Sequence, residues 1–121
     1  MEIKNYRDLR VWQSGMDLVV LVYEVSEKFP SKEIYGLTSQ IRRAAVSVPS
    51  NIAEGHTRES TKEYLHHLSI AQASLAEVET QIEIAFRLKY CTDDELDKIL
   101  THATSLAKQL YSLRNALQSK K

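Results

Sequence analysis

The sequence has a single cysteine, Cys91, among 121 residues. A lone thiol cannot close an intramolecular disulfide, and it fits a reducing compartment. Only three glycines and two prolines are present, little material for the many turns of an all-β fold. An excess of either charge is also missing. Lys plus Arg and Asp plus Glu number 16 each, for a formal net charge of zero. That excludes a nucleic-acid-attracting field over the whole surface, while leaving room for a local basic patch. The longest apolar run, "LVVLVY" from Leu18 to Tyr23, falls far short of the roughly 20 residues that span a bilayer. The first residues, "MEIKNYRDLR", lack the apolar stretch of a signal peptide. The expectation is a cytoplasmic chain without membrane association.

What the sequence has in quantity is helical periodicity. From Tyr6 to Phe29, Leu9, Trp12, Met16, Val19 and Tyr23 recur at steps of 3 and 4, and Leu18, Val22, Val25 and Phe29 make a second stripe beside them. Pro30 ends this segment, and Ser31 is the expected N-cap of the next. From Lys32 to Thr57, Ile34, Leu37, Ile41, Ala45, Val48 and Ile52 hold one phase across Pro49. Retained phase predicts one helix kinked at Pro49 rather than two unrelated ones, with Gly55 as its stop. Ser60 and Glu63 have capping-box spacing before a stripe from Tyr64 to Ala85, on a helix reaching about Lys89. Thr92 and Glu95 repeat the box before the 3-4 stripe from Leu96 to Leu117. Short links between long helices predict an all-α fold, an antiparallel up-down-up-down four-helix bundle, as one domain over residues 1–121.

A bundle invites a di-iron reading, because such sites pair Glu-x-x-His motifs. "EYLH", Glu63 to His66, matches once; no second copy exists, and Glu63 already has a capping role. His66 and His67 are adjacent and so point about 100° apart on a helix. No glycine-rich phosphate loop occurs, Cys91 sits in no motif, and Ser47 and Ser50 lack a nucleophile elbow. The expectation is no enzyme, no metal, no cofactor and no small-molecule substrate.

Two features are left over. Apolar residues exceed what one buried face needs, on the first helix and at Leu65 and Ile70 of the third, which predicts a subunit interface. Arg42, Arg43, Arg58 and Lys62 form a cationic cluster offset by Glu54 and Glu59, a candidate nucleic-acid-binding set. Lys4, Arg7, Arg10, Lys120 and Lys121 would add a basic rim at the end where both termini meet. A ring of subunits would repeat any such patch and raise its avidity for a polyanion.

The stretches "LRVWQSGMDLVVLVYEVSEKFP" and "EIYGLTSQIRRAAVSVPSNIAEGHTRESTKEYLHHLSIAQASLAEVETQIEIA" resemble bacterial four-helix bundle proteins related to the 23S rRNA intervening-sequence protein. "SQIRRAAVSVPSNIAEG" is the most specific part of the likeness. The resemblance implies a small cytoplasmic bundle. Members of this fold group, including the accessory variability determinant of diversity-generating retroelements, form pentameric rings. That accessory protein is basic and binds nucleic acid and a reverse transcriptase; the present chain departs from it in being neutral. For the intervening-sequence proteins, a role around fragmented ribosomal RNA is inferred from where they are encoded.

The sequence thus points to a non-enzymatic oligomeric binding or scaffold protein, a homopentamer, associating with RNA, a ribonucleoprotein or a nucleic-acid-binding protein through Arg42, Arg43, Arg58 and Lys62. A polar network of Arg43, Ser47, Asn51 and Glu54 is expected to set bundle or subunit geometry. The alternative is a protein-binding adaptor without a nucleic-acid role, using the extra stripe of helix one that includes Val22 and Val25.

Overall fold

The computed structural model describes residues 3–119. Helices α1 (Arg10–Ser26), α2 (Leu37–Thr57), α3 (Thr61–Arg87) and α4 (Asp93–Ser119) pack around one core, and no strand occurs among the described residues. Short 3-10 turns at Tyr6–Asp8 and Ser31–Glu33 precede α1 and α2. Both shorten helices expected to begin earlier, for local reasons. The Asn5 side chain accepts from Arg7 N at 2.8 Å and the Asp8 carboxylate accepts from Asn5 N at 3.3 Å, a capping box that completes a separate turn. Leu9 is then extended. At the second site Ser31 is not the cap of α2. The Glu33 carboxylate accepts from Leu37 N at 3.0 Å and starts the helix there.

Helix α2 continues across Pro49 to Thr57, so Gly55 lies inside it rather than stopping it. Gly55 is buried because α3 crosses there: an added Cβ would stand 2.8 Å from His67 Cβ. Gly15 of α1 likewise faces Pro49, where a Cβ would lie 3.3 Å from the proline's Cβ. Ser60 Oγ accepts from Glu63 N at 3.1 Å, and the Thr92–Glu95 box forms in both directions. Helix α3 ends in a Schellman motif: Tyr90 N donates to Ala85 O, Lys89 N donates to Phe86 O, and Lys89 holds a left-handed φ of 67°.

The core contains Leu18, Val22, Ile41, Ile52, Leu68, Leu75, Ile82, Ile99 and Leu106, all fully buried. On the α1 side it is built from the Leu18, Val22 and Val25 stripe, with Phe29 just beyond the end of the helix. Val22 and Val25 therefore cannot serve as an adaptor surface, which corrects that expectation. The other stripe faces outward: Leu9, Trp12 and Val19 are half-buried, and Met16 and Tyr23 are exposed. Both stripes have the same spacing and similar apolarity, and only the placement of α2 and α4 decides between them. Leu65 and Ile70 are also half-buried, and Ile34 is exposed rather than part of the α2 core face.

Polar clasps tie the bundle together. His102 Nε2 donates to Ser14 O at 2.8 Å, linking α4 to α1, and Arg114 bonds Gln72 between α4 and α3. At one end Tyr90 O–H donates to Glu33 at 2.9 Å, the Tyr90 ring packs on Phe29, and Lys28 pairs with Glu95 at 2.5 Å. No described helix is long and apolar enough to cross a membrane.

Candidate functional site

The distinctive chemistry lies on α2 and along its seams with α1 and α3. Between α2 and α3 runs a chain of polar contacts. Ser47 Oγ and Ser74 Oγ share a hydrogen bond of 2.8 Å. Asn51 Nδ2 donates to Ser47 O at 2.9 Å, and Asn51 Oδ1 accepts from His67 Nδ1 at 3.0 Å. His67 Nε2 lies 3.7 Å from Glu54, which also takes Arg58 at 2.6 Å. Among the residues expected in a polar network, Ser47, Asn51 and Glu54 come together here; Arg43 stands apart. His67 and Ser74 complete the chain and were not among the expected members. Their signal was available, since His67 and Ser74 are seven residues apart and so share one face of α3, beside the stripe that carries Leu68 and Leu75.

The four candidate cations divide. Arg42 is held inward, its side chain 20% exposed: Nε donates to Ser26 Oγ at 2.8 Å, Nη2 pairs with Glu27 at 3.4 Å, and the guanidinium stacks on the Tyr23 ring. It bolts α1 to α2 and is the least available for a ligand. Arg58 is exposed but shared with Glu54. Arg43 and Lys62 are exposed and make no ion pair among the described residues. Of the expected basic rim, Lys4 and Arg7 are exposed, as is Arg10, whereas Lys120 and Lys121 lie outside the described residues.

Arg43 lines two open grooves. One, of about 520 Å³, lies toward α1 and is lined by Tyr23, Ile34, Arg42 and Val46 among others. Its apolar character extends along α1, where Met16 and Val20 are 41% and 58% exposed, two turns and one turn before Tyr23 respectively. The other, of about 530 Å³, lies over the α2–α3 seam, with Tyr35, Ser47, Ser74, Glu77 and Gln81 in its lining. Tyr35 is 95% exposed. Gln81 Oε1 is buried with no hydrogen-bond partner among the described residues. Such an orphan acceptor costs about 1–3 kcal/mol and calls for an explanation.

The local electrostatics favour fixed charges over reactive ones. The Arg58 guanidinium bonded to Glu54, with His67 beside it, holds that carboxyl below the usual carboxylate range. Burial pushes the Tyr64 phenol up to about 12. Burial, with Glu95 nearby, also raises the Cys91 thiol, away from the depressed values of reactive cysteines. Among the described residues, no three of His, Cys, Asp and Glu gather as a metal-binding group.

The family model described as "23S rRNA-intervening sequence protein" matches residues 7–112. The chain belongs to this family. The crystal structure of a protein of unknown function from the S23 ribosomal protein family of Bacteroides thetaiotaomicron VPI-5482 is similar, with a TM-score of 0.80. The two are 23% identical, over 86% of this chain and 97% of that one, a likeness that shows the fold. No curated protein matches the chain.

Proposed function

We propose that this 23S rRNA-intervening sequence family protein is a non-enzymatic, cytoplasmic scaffold that assembles into a homo-oligomeric ring, a pentamer, and associates with RNA through cations repeated around it. The observation that carries the assembly reading is the uncovered apolar strip Met16–Val20–Tyr23 with Ile34 and Val46 beside it. Contiguous apolar surface of this kind marks an interaction site. The RNA reading draws on the family and on Arg43 and Lys62, which are exposed and free of ion pairs among the described residues, with Arg58 in a lesser role. Arg42 contributes by holding Tyr23 in the strip.

The test is RNA affinity measured over a salt series. Counterion release makes log K fall linearly with log salt, with a slope near −0.7 per phosphate contacted on a single strand. Arg43→Ala and Lys62→Ala should each weaken binding and flatten that slope. Salt-independent binding, or a slope indifferent to both changes, contradicts the reading. The same strip would dock a helix of another protein if the chain is a monomer in solution, and solution mass separates these alternatives.

A further inference from the structure

We propose that the outward strip of α1 and α2 docks into the α3–α4 groove of a second copy of this chain, so that each subunit offers two different faces. This rests on the assembly reading above and names the surface that receives the strip. The helices run in order around the bundle: α1 packs on α2 and α4, and α3 packs on the same two. The α1–α2 and α3–α4 faces are therefore opposite. The first carries Met16, Val20, Tyr23, Ile34 and Val46. The second carries an uncovered apolar patch of its own. Ile84 and Leu88 are 42% and 51% exposed, one turn apart on α3, and half-buried Leu100 of α4 shares a groove with Ile84. Strip-on-strip pairing would cover the first patch and leave the second in water. Strip-in-groove pairing covers both, and it is the heterologous kind of contact that closes into rings.

The two patches also match in height. Both lie toward the bundle end joined by the Lys28–Glu95 and Tyr90–Glu33 bonds. Val20 is six residues before the end of α1, and Leu100 is seven after the start of α4. Tyr23 and Ile84 each lie three residues before the ends of their helices. At a rise of 1.5 Å per residue these levels agree within about 2 Å. Neighbours in a ring whose axis parallels the bundle meet at equal height. The helix order then fixes what meets what: the next copy lays its α4 over α1 and its α3 over α2. Val20 comes beside the second copy's Leu100. Arg43, six residues into α2, falls between the levels of Glu83 and Glu79, four and eight residues before the end of α3. Arg43 is exposed at the α2 edge of the strip and makes no ion pair among the described residues. Glu79, likewise without an ion pair there, and Glu83, shared with Arg87, line the α3 edge of the groove. The other edge is mixed in sign, with Asp17 and Glu24 on α1 and Asp97 and Lys108 on α4, so the Arg43 edge carries the electrostatic preference. A guanidinium has five donors, so these carboxylates do not exclude a phosphate from Arg43.

The experiment measures mass by light scattering for the full chain and its variants, without RNA, each first checked for helix content by circular dichroism. Val20→Glu disables the strip and Ile84→Lys the groove, and each variant alone should run as a 13.9 kDa monomer. Mixed in equal amounts, they should form a dimer and stop there, because the intact groove of one receives the intact strip of the other. Glu79→Arg should weaken assembly about tenfold or more through like charges facing each other, and Arg43→Glu in the same chain should restore it. If Ile84→Lys does not fold, that reversal and its rescue decide alone. An oligomeric parent whose mass survives Ile84→Lys and Glu79→Arg overturns the strip-in-groove pairing and leaves assembly through the strip standing. A mixture that stays monomeric overturns the pairing as well. A parent that is itself a 13.9 kDa monomer takes down both readings.

Discussion

The close crossing of α3 over Gly55 of α2 gives the sharpest stability prediction. Gly55 lies in α2 where α3 crosses it. In Gly55→Ala the new Cβ would stand 2.8 Å from His67 Cβ, 3.1 Å from Tyr64 Cδ1 and 3.3 Å from Tyr64 O. None of the three is the far end of a flexible chain, so the contact is relieved only by moving α3 away from α2. That movement would strain the His67–Asn51 bond and loosen Ile52 against Leu68. Two effects oppose each other. Alanine gains about 1 kcal/mol of helix propensity over glycine. Overpacking against atoms that cannot turn aside costs about 3 kcal/mol, the upper end of its range. The sterics win, and the net loss is about 2 kcal/mol. Urea unfolding followed by circular dichroism at fixed protein concentration is the assay, because an oligomer's stability depends on concentration. In a thermal melt of the two proteins at the same concentration, the melting temperature should fall on the order of 8 °C. A Gly55→Ala protein as stable as the parent, or more so, would refute the close-crossing argument.

Other outcomes follow from single contacts. Lys89 occupies the left-handed position of a Schellman motif, so Lys89→Gly should stabilise by about 0.5–1 kcal/mol in the same assay, and destabilisation would count against that cap. Arg42→Ala should lose about 1–2 kcal/mol through its charged bond to Ser26 and its contacts with Glu27 and Tyr23, whereas Arg43→Ala should stay within about 0.5 kcal/mol; equal effects would undo the division between them. Glu33, Glu54 and Glu95 titrate below their ordinary value of 4.5, chiefly through bonds from Leu37 N, Arg58 and Lys28 respectively. Depressed carboxyls stabilise fully above 4.5 and lose that stabilisation as pH falls through their lowered folded values. The urea midpoint should therefore drop progressively on acidification from pH 4.5 downward, and a flat profile there would contradict the bonding assigned to these groups.

Much of the fold was legible because its signals are local. The Thr92–Glu95 box, the Ser60 cap and the 3-4 stripes of α3 and α4 are read within one turn at a time, and each appears where its spacing places it. The stripes of α1 were not decidable in that way. A helix with two apolar faces is oriented by its neighbours, and the neighbours of α1 come from distant sequence. The start of α2 was misplaced because Glu33 caps Leu37 from outside the helix and is itself held by Tyr90, 57 residues on. Gly55 looked like a stop signal because glycine serves both at helix ends and at close crossings, and only the α3 path separates the two. For the candidate site, composition and adjacency brought out Arg42 and Arg43 but not their difference. Arg42 reaches back 16 residues to Ser26, while Arg43 turns away from it. Tyr35, Glu77 and Gln81 share a groove through packing alone.

The central claim, a self-assembling scaffold that engages RNA, is tested most directly by mass in solution. Size-exclusion chromatography with light scattering would be run without and with a structured RNA, at low and moderate salt. The expected species is a ring of five 13.9 kDa chains, about 70 kDa, that moves to higher mass with RNA at low salt and releases it at moderate salt. A 13.9 kDa monomer would contradict the assembly claim, and an oligomer whose mass never changes with RNA would contradict the binding claim.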